Sequence, residues 1–86
     1  MGFLPSPTVL SREVGDETVL VDLENEMYFS LNMTGTLVWS RLVSGSTLTE
    51  IIDETAERFG LTAETAQQDI AKLVDQLQNA GLLVSD

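Results

Sequence analysis

Carboxylates are the most numerous ionisable side chains in this sequence, which contains no histidine and no cysteine. Close pairs such as Asp53–Glu54 and Glu24/Glu26 could in principle act as general acids and bases. A catalytic carboxylate needs burial or a charged partner, whereas these pairs fall on predicted exposed helix faces or turns. We therefore predict that they form solvated surfaces and that the protein is not an enzyme.

Patterns for a bound metal, cofactor or phosphate are missing from the sequence. The lack of cysteine and histidine excludes disulfides, the usual zinc ligands and Cys–His or Ser–His nucleophiles. The D-x-[DN]-x-[DN]-G spacing of a calcium loop does not occur, and neither does a glycine-rich phosphate loop. We predict no metal site and no cofactor.

The charge balance indicates which partners the chain can attract. Fourteen acidic residues face four basic ones, so the formal net charge is −10. Such a field repels phosphate backbones and attracts basic partners, and it also favours solubility. Both roles are open at this point, although −10 exceeds the roughly 2–8 charges that a small domain needs for solubility.

Three strands are predicted before residue 32, at 8–14, 18–23 and 27–31. Gly15-Asp16 suits a two-residue hairpin turn, because glycine adopts positive φ at no steric cost. Glu24-Asn25 can form the second turn, with Asn25 in the left-handed region. The segments together predict an antiparallel meander.

Alternation assigns the side chains of these strands to two faces. One face of the second predicted strand carries Val19, Val21 and Leu23, and one face of the third carries Met27, Phe29 and Leu31. Tyr28 and Ser30 then point to the opposite side. Tyr28 is left with two roles, packing on the hairpin or holding a partner.

Three helices are predicted after residue 32, where the hydrophobic period changes from 2 to 3.6. Asn32 and Thr62 are N-cap candidates, and Thr47 with Glu50 forms a capping box. Gly45, Gly60 and Gly81 are the predicted ends. The apolar stripe of the first predicted helix comprises Leu37, Val38, Trp39, Leu42 and Val43. That of the second comprises Leu48, Ile51, Ile52, Thr55 or Ala56, and Phe59. That of the third comprises Ala63, Ala66, Ile70, Leu73, Leu77 and Ala80.

The predicted fold is a small α+β domain in the order β-β-β-α-α-α, with helices packed on the apolar face of the sheet. Residues 1–86 form a single domain in this interpretation, and residues 1–7 are a loose lead-in because their prolines limit sheet hydrogen bonding. The segment at 82–85 returns as a short pairing or an apolar lid. Trp39 belongs to the core.

The strand at 27–31 has the properties of an open sheet edge that a partner can use. The first strand follows Pro5 and Pro7 and carries Arg12 and Glu13, which discourage edge pairing. The strand at 27–31 has no such residues. An extended peptide could pair with its free N–H and C=O groups, which is β-augmentation.

The ordered pattern resembles the PqqD-like family of recognition elements in pathways that make ribosomally synthesised, post-translationally modified peptides (RiPPs). The resemblance covers residues 8–84 and rests on VLVDLENEMYFSLNMTGTLVWSRLVSGSTLTEIIDETAERFG followed by DIAKLVDQLQNAGLL. It implies a winged helix-turn-helix with three strands and three helices. Family members bind the leader segment of a precursor peptide as an extra strand, beside the third helix.

The resemblance also implies the residues that contact the leader. The backbone-pairing positions are Glu26, Met27, Tyr28, Phe29, Ser30 and Leu31. On the third predicted helix, spacings of 3 and 4 place Asp69, Lys72, Leu73 and Gln76 on one side, nearest the groove.

Within the family, the chain is most similar to the stand-alone leader-binding (split B) proteins of lasso peptide clusters. This similarity implies a basic leader with a Tyr-x-x-Pro motif, a transglutaminase-like cysteine protease and an asparagine-synthetase-like cyclase as partners. The lack of cysteine fits a reducing compartment, so we expect a cytoplasmic location. We expect no membrane partner, because the apolar runs are far shorter than the roughly 20 residues of a spanning helix. The alternative is a peptide chaperone of pyrroloquinoline quinone synthesis, where a Pro-Glu turn usually stands in place of DLENEM.

Two other function classes are open on the sequence. A winged helix-turn-helix can bind DNA, but the third predicted helix offers Lys72 as its only cation against Glu64, Asp69 and Asp75. Phosphate contacts supply much of DNA affinity, so nucleic acid is disfavoured as a partner. A purely structural subunit is the third class.

Overall fold

The computed structural model describes residues 3–85 as five strands and three helices. A short strand comes first, then three strands in sequence, three helices and a final short strand. Their bounds are β1 Phe3–Pro5, β2 Val9–Val14, β3 Glu17–Asp22, β4 Met27–Leu31, α1 Met33–Val43, α2 Leu48–Phe59, α3 Ala63–Asn79 and β5 Leu83–Ser85.

The predicted antiparallel meander is confirmed as a three-stranded sheet in the order β2-β3-β4. Val14 pairs with Glu17, which leaves Gly15-Asp16 as the two-residue turn, and Gly15 has φ +64°. The turn between β3 and β4 differs from the prediction. Asp22 pairs with Met27, so the loop has four residues, and the left-handed residue is Glu26 with φ 54°, in place of Asn25.

The face of β3 that carries Val19 and Val21 is not the one that packs on the helices. Thr18, Leu20 and Asp22 are the buried residues of this strand, whereas Val19 and Val21 are half-buried. The register explains the difference, because Leu20 pairs with Phe29 and Thr18 with Leu31, while Val21 pairs with Tyr28. Directly paired residues share a face. Val19 and Val21 therefore lie on the outer face of the sheet, and Leu23 is exposed in the following turn.

The helix caps are confirmed as predicted. The Asn32 side chain accepts a hydrogen bond from Gly35 N–H, Thr47 and Glu50 form the reciprocal capping box, and Thr62 caps α3. Gly60 ends α2 in the left-handed conformation, with φ +65°. Three predicted stripe residues are instead exposed at helix ends, namely Val43, Leu48 and Ala63, and Val74 is buried although it was not predicted.

Residues 3–5 form a strand, which corrects the prediction of a loose lead-in over residues 1–7. β1 pairs antiparallel with β5, with Phe3 opposite Ser85 and Pro5 opposite Leu83. The prediction of a short pairing near the end of the chain is thereby confirmed. Proline is compatible with this two-stranded ribbon because each strand has an edge that needs no partner. Residues 1 and 2 of the predicted lead-in lie outside the described residues.

One apolar cluster lies where the sheet, the three helices and the ribbon meet. α1 occupies the centre, since it contacts β1, β3, β4, α2 and α3. Trp39 is 5% exposed, which confirms its core position. The buried members of the cluster are Leu20, Leu31, Val38, Trp39, Leu42, Ile51, Ile70, Val74, Leu77, Leu82 and Leu83.

Candidate peptide-binding groove

β4 is an outer strand of the meander, with β3 on one side. Among residues 3–85, no strand pairs with its other side. Alternate residues of an antiparallel edge strand direct their N–H and C=O groups outward, so this side offers backbone donors and acceptors.

A groove of about 540 Å³ lies between β4 and α3. Its wall on one side is the C-terminal half of β4 with the first turn of α1, and its wall on the other side is α3 with the end of α2. The lining residues are Phe29, Ser30, Leu31, Asn32, Thr34, Gly35, Phe59, Leu61, Asp69, Lys72, Leu73 and Gln76.

The structure brings seven of the ten predicted site residues together around this groove. They are the three β4 residues Phe29, Ser30 and Leu31 and the four α3 residues Asp69, Lys72, Leu73 and Gln76. Glu26, Met27 and Tyr28 do not line it. Glu26 ends the preceding turn, and the Tyr28 side chain is 66% exposed on the outer face. Of these three, Met27 and Tyr28 lie in β4, so their backbone continues the same sheet edge.

Five lining residues were missed by the sequence analysis: Asn32, Thr34, Gly35, Phe59 and Leu61. Of these five, Gly35 could have been recognised from the sequence. A glycine in the first turn of a helix, where alanine would be more stable, indicates close packing against a neighbouring element. A Cβ at this position would lie 3.2 Å from the Leu31 Cβ. Glycine therefore allows the first turn of α1 to approach the end of β4 closely, which sets the end of the groove.

The floor and rim of the groove differ in polarity. Leu31 is buried, and Phe29, Phe59, Leu61 and Leu73 are half-buried, so apolar atoms form the floor. Asp69, Lys72 and Gln76 are exposed along α3 and form the rim. Apolar contacts with a few polar groups at the edge are typical of a site that binds side chains of an extended peptide.

The opposite sheet edge, on β2, contributes no residue to this groove. From Leu10 to Val14 every residue of β2 is exposed. A second cavity of about 520 Å³ touches this strand only at Glu13 and otherwise lies among the first turn, α1 and the end of α2. The two edges of the sheet are therefore not equivalent.

Within residues 3–85, none of the helices combines the length and apolar character that crossing a membrane requires. No group of three or more acidic side chains in this range is arranged to hold a metal ion.

Comparison with known protein families matches residues 17–83 to the profile described as coenzyme PQQ synthesis protein D (PqqD). The chain belongs to the PqqD family. The match includes β3, β4 and all three helices, and therefore both walls of the groove. No curated protein gives a significant sequence match to this PqqD-family chain.

Two solved structures share the fold over the full length of the PqqD-family chain. TbiB1 in complex with the TbiA(beta) leader peptide is 31% identical, with a TM-score of 0.88 and coverage of 100% of both chains. A lasso peptide synthetase B1 complexed with the leader peptide is 25% identical, with a TM-score of 0.91 and coverage of 99% of this chain and 100% of the other. Both relatives are described as bound to a leader peptide.

Proposed function

We propose that this protein is a non-catalytic binding module that takes up the leader segment of a ribosomal precursor peptide. The leader adds as a strand to the open edge of β4, with its side chains in the groove beside α3. The observation that carries this proposal is the coincidence of an unpaired strand edge and an apolar groove on the same element. The leader complexes of the two similar structures support it.

The two parts of this site make different contributions to binding. Backbone hydrogen bonds along β4 supply affinity that is independent of the leader sequence, and the groove selects side chains at alternate positions. Alternation directs every second leader residue toward α3. In this proposal Glu26, Met27 and Tyr28 act through the backbone or the neighbouring turn. The three other predicted β4 residues act through both the backbone and groove contacts, and the four α3 residues act through groove contacts.

The pathway we favour is lasso peptide biosynthesis. The partners are then a leader that carries a Tyr-x-x-Pro motif, a transglutaminase-like cysteine protease and an asparagine-synthetase-like cyclase, and the site of action is the cytoplasm. The similarity to a lasso peptide synthetase B1 favours this choice over pyrroloquinoline quinone synthesis. The turn DLENEM before β4 favours it as well.

Amide hydrogen exchange with and without leader tests the proposal directly. The probe is a synthetic leader peptide from a short precursor, to be identified among the open reading frames that neighbour this gene. We expect exchange to slow in residues 27–31, because the added strand engages the outward N–H groups of β4. The other edge strand, β2, is the internal control, with little change over residues 9–14.

Proline substitutions provide a second readout. Adjacent residues of β4 direct their N–H groups to opposite sides, so one of Phe29→Pro and Ser30→Pro removes an outward donor and the other removes a donor to β3. The variant that keeps its circular-dichroism spectrum should lose leader binding. Protection that appears in β2 and not in β4 would refute the proposed site.

A further inference from the structure

The groove contains two ionisable side chains among its lining residues, Asp69 and Lys72. Their charges cancel, so the site is locally neutral although the chain carries a net charge of −10. Both side chains are exposed at the rim. A locally neutral site with one charge of each sign favours a ligand that also carries both signs.

Both charges are available to a ligand. Among residues 3–85, neither Asp69 nor Lys72 makes an ion pair or a side-chain hydrogen bond. Two of the other three cations are engaged, since Arg41 binds Glu54 at 2.7 Å and Arg58 lies 4.0 Å from the same carboxylate. Arg12 lies on β2 opposite Val19, on the outer face of the sheet. Lys72 is therefore the cation that faces the groove.

The spacing of the α3 lining residues matches that of an extended peptide. Residues rise by about 1.5 Å each along a helix, so Lys72 lies about 4.5 Å and Leu73 about 6 Å beyond Asp69 along α3. Same-facing residues of a strand are about 7 Å apart. Two successive same-facing side chains of an added strand thus meet Asp69 first and then Lys72 with Leu73.

We propose, as an extension of the proposed function, that Asp69 and Lys72 select the charge order of the leader. The strand-forming segment presents a basic side chain to Asp69 and, two residues away, an acidic side chain to Lys72. Its pattern is basic-x-acidic, or the reverse order if the leader runs in the opposite direction. This pattern fixes the register of the added strand, which backbone hydrogen bonds alone leave free to slip by two residues.

Two synthetic peptides test the charge order. Both are made from the cognate leader, one with lysine and glutamate at the first and second α3-facing positions and one with the two residues exchanged. Their composition and net charge are identical, so the net field of the protein acts on both equally. We expect one order to bind about threefold to tenfold more tightly than the other in fluorescence polarisation titrations, as for exposed ion pairs.

Two variants of the protein complete the experiment. The double substitution Asp69→Lys with Lys72→Glu keeps the net charge and should invert the preference between the peptides. Asp75 lies on α3 but does not line the groove, so Asp75→Lys changes the net charge without changing the groove and should leave the preference unchanged.

The outcomes separate this inference from the function on which it rests. If the unmodified leader binds but the two peptides bind equally, or the double variant keeps the original preference, the charge-order proposal is overturned and the leader-binding function stands. If the unmodified leader fails to bind, both are overturned.

Discussion

Asp22 organises the segment that leads into the binding edge. Its carboxylate is fully buried and accepts hydrogen bonds from Thr8 Oγ1 at 2.8 Å and from Asn25 Nδ2 at 2.8 Å. The backbone N–H groups of Glu24 and Asn25 also donate to it, at 3.2 and 3.3 Å. One side chain therefore joins β3, the segment before β2 and the turn before β4.

These hydrogen bonds predict a pH-dependent contribution of Asp22 to stability. The bond from the Asn25 side chain holds the pKa of Asp22 below its ordinary value of 3.8, and burial opposes this shift only in part. A lowered folded-state pKa means that the contribution is complete above the unfolded-state pKa and is lost as the pH falls through the folded-state pKa. We expect the stability difference between wild type and Asp22→Asn to be constant near neutral pH and to shrink below about pH 4.

Urea unfolding at a series of pH values from 7 to 3 measures this difference. Glu50 and Glu54 also have lowered pKa values, through hydrogen bonds with Thr47 and Arg41, but they are present in both proteins and cancel. Asp16→Asn, in the exposed first turn, is the matched control. A stability difference between wild type and Asp22→Asn that grows as the pH falls would contradict the hydrogen bonds assigned to Asp22.

Thr55 carries an unsatisfied hydroxyl in the core. Its side chain is fully buried on α2, and its Oγ1 has no hydrogen-bond partner among residues 3–85. Valine has nearly the same shape without the polar group, so Thr55→Val should raise the free energy of unfolding by about 1 kcal/mol. Chemical denaturation measures this change, and the same substitution at the exposed Thr49 is the control. Loss of stability at Thr55 would show that the hydroxyl is satisfied in solution.

At the scale of elements, β4 serves two surfaces because its side chains alternate. Phe29 and Leu31 point toward the helices and line the groove, whereas Tyr28 points to the outer face. Gly35 at the start of α1 lets this helix pack closely on Leu31. The groove is therefore a product of three elements, with β4 and α3 as its long walls and the first turn of α1 at its end.

This arrangement predicts unequal effects of two alanine substitutions on leader affinity. Leu73→Ala removes apolar contact area from the groove floor and should weaken binding by roughly 1–3 kcal/mol. Tyr28→Ala leaves the β4 backbone and the groove unchanged and should cost much less. Calorimetric titration measures both affinities, at a temperature where thermal unfolding curves show both variants folded. A larger effect for Tyr28→Ala would mean that the leader occupies the outer face.

At the scale of the whole molecule, charge is distributed unevenly. The net charge is −10, yet the groove contains one acidic and one basic side chain. The bidentate ion pair between Arg41 and Glu54, with bonds of 2.7 and 2.8 Å, joins α1 to α2 away from this site. The acidic surface thus acts on a ligand from a distance, while the groove acts by contact.

This separation predicts how salt affects leader binding. A basic leader should associate more slowly as ionic strength rises, because screening shortens the range of the acidic field to about 8 Å at 0.15 M salt. The dissociation rate should change little, since the contacts in the groove are short-range. Stopped-flow measurements at two salt concentrations give both rates. An association rate that is independent of salt would mean that the acidic surface does not attract the leader and contributes only to solubility.

The sequence by itself determined the local features of this protein. Asn32, the capping box at Thr47 and the αL glycine at Gly60 each depend on contacts within a few residues, so their residue types predict the element boundaries. The Gly15-Asp16 turn and the alternation in β4 are local for the same reason. These features, with the ordered pattern of the family, were sufficient for the fold and for seven of the groove residues.

Only the tertiary structure decided which side of β3 is buried and how the ends of the chain pair. Hydrophobicity favours Val19 and Val21 for the core, but the register with β4 buries Thr18 and Asp22 instead, where Thr36 and Thr8 satisfy their oxygens. The pairing of β1 with β5 joins residues about 80 positions apart along the chain. Phe59 and Leu61 likewise reach the groove only because α2 and α3 pack together. Such contacts depend on the simultaneous packing of all elements, and no local pattern of residues encodes them.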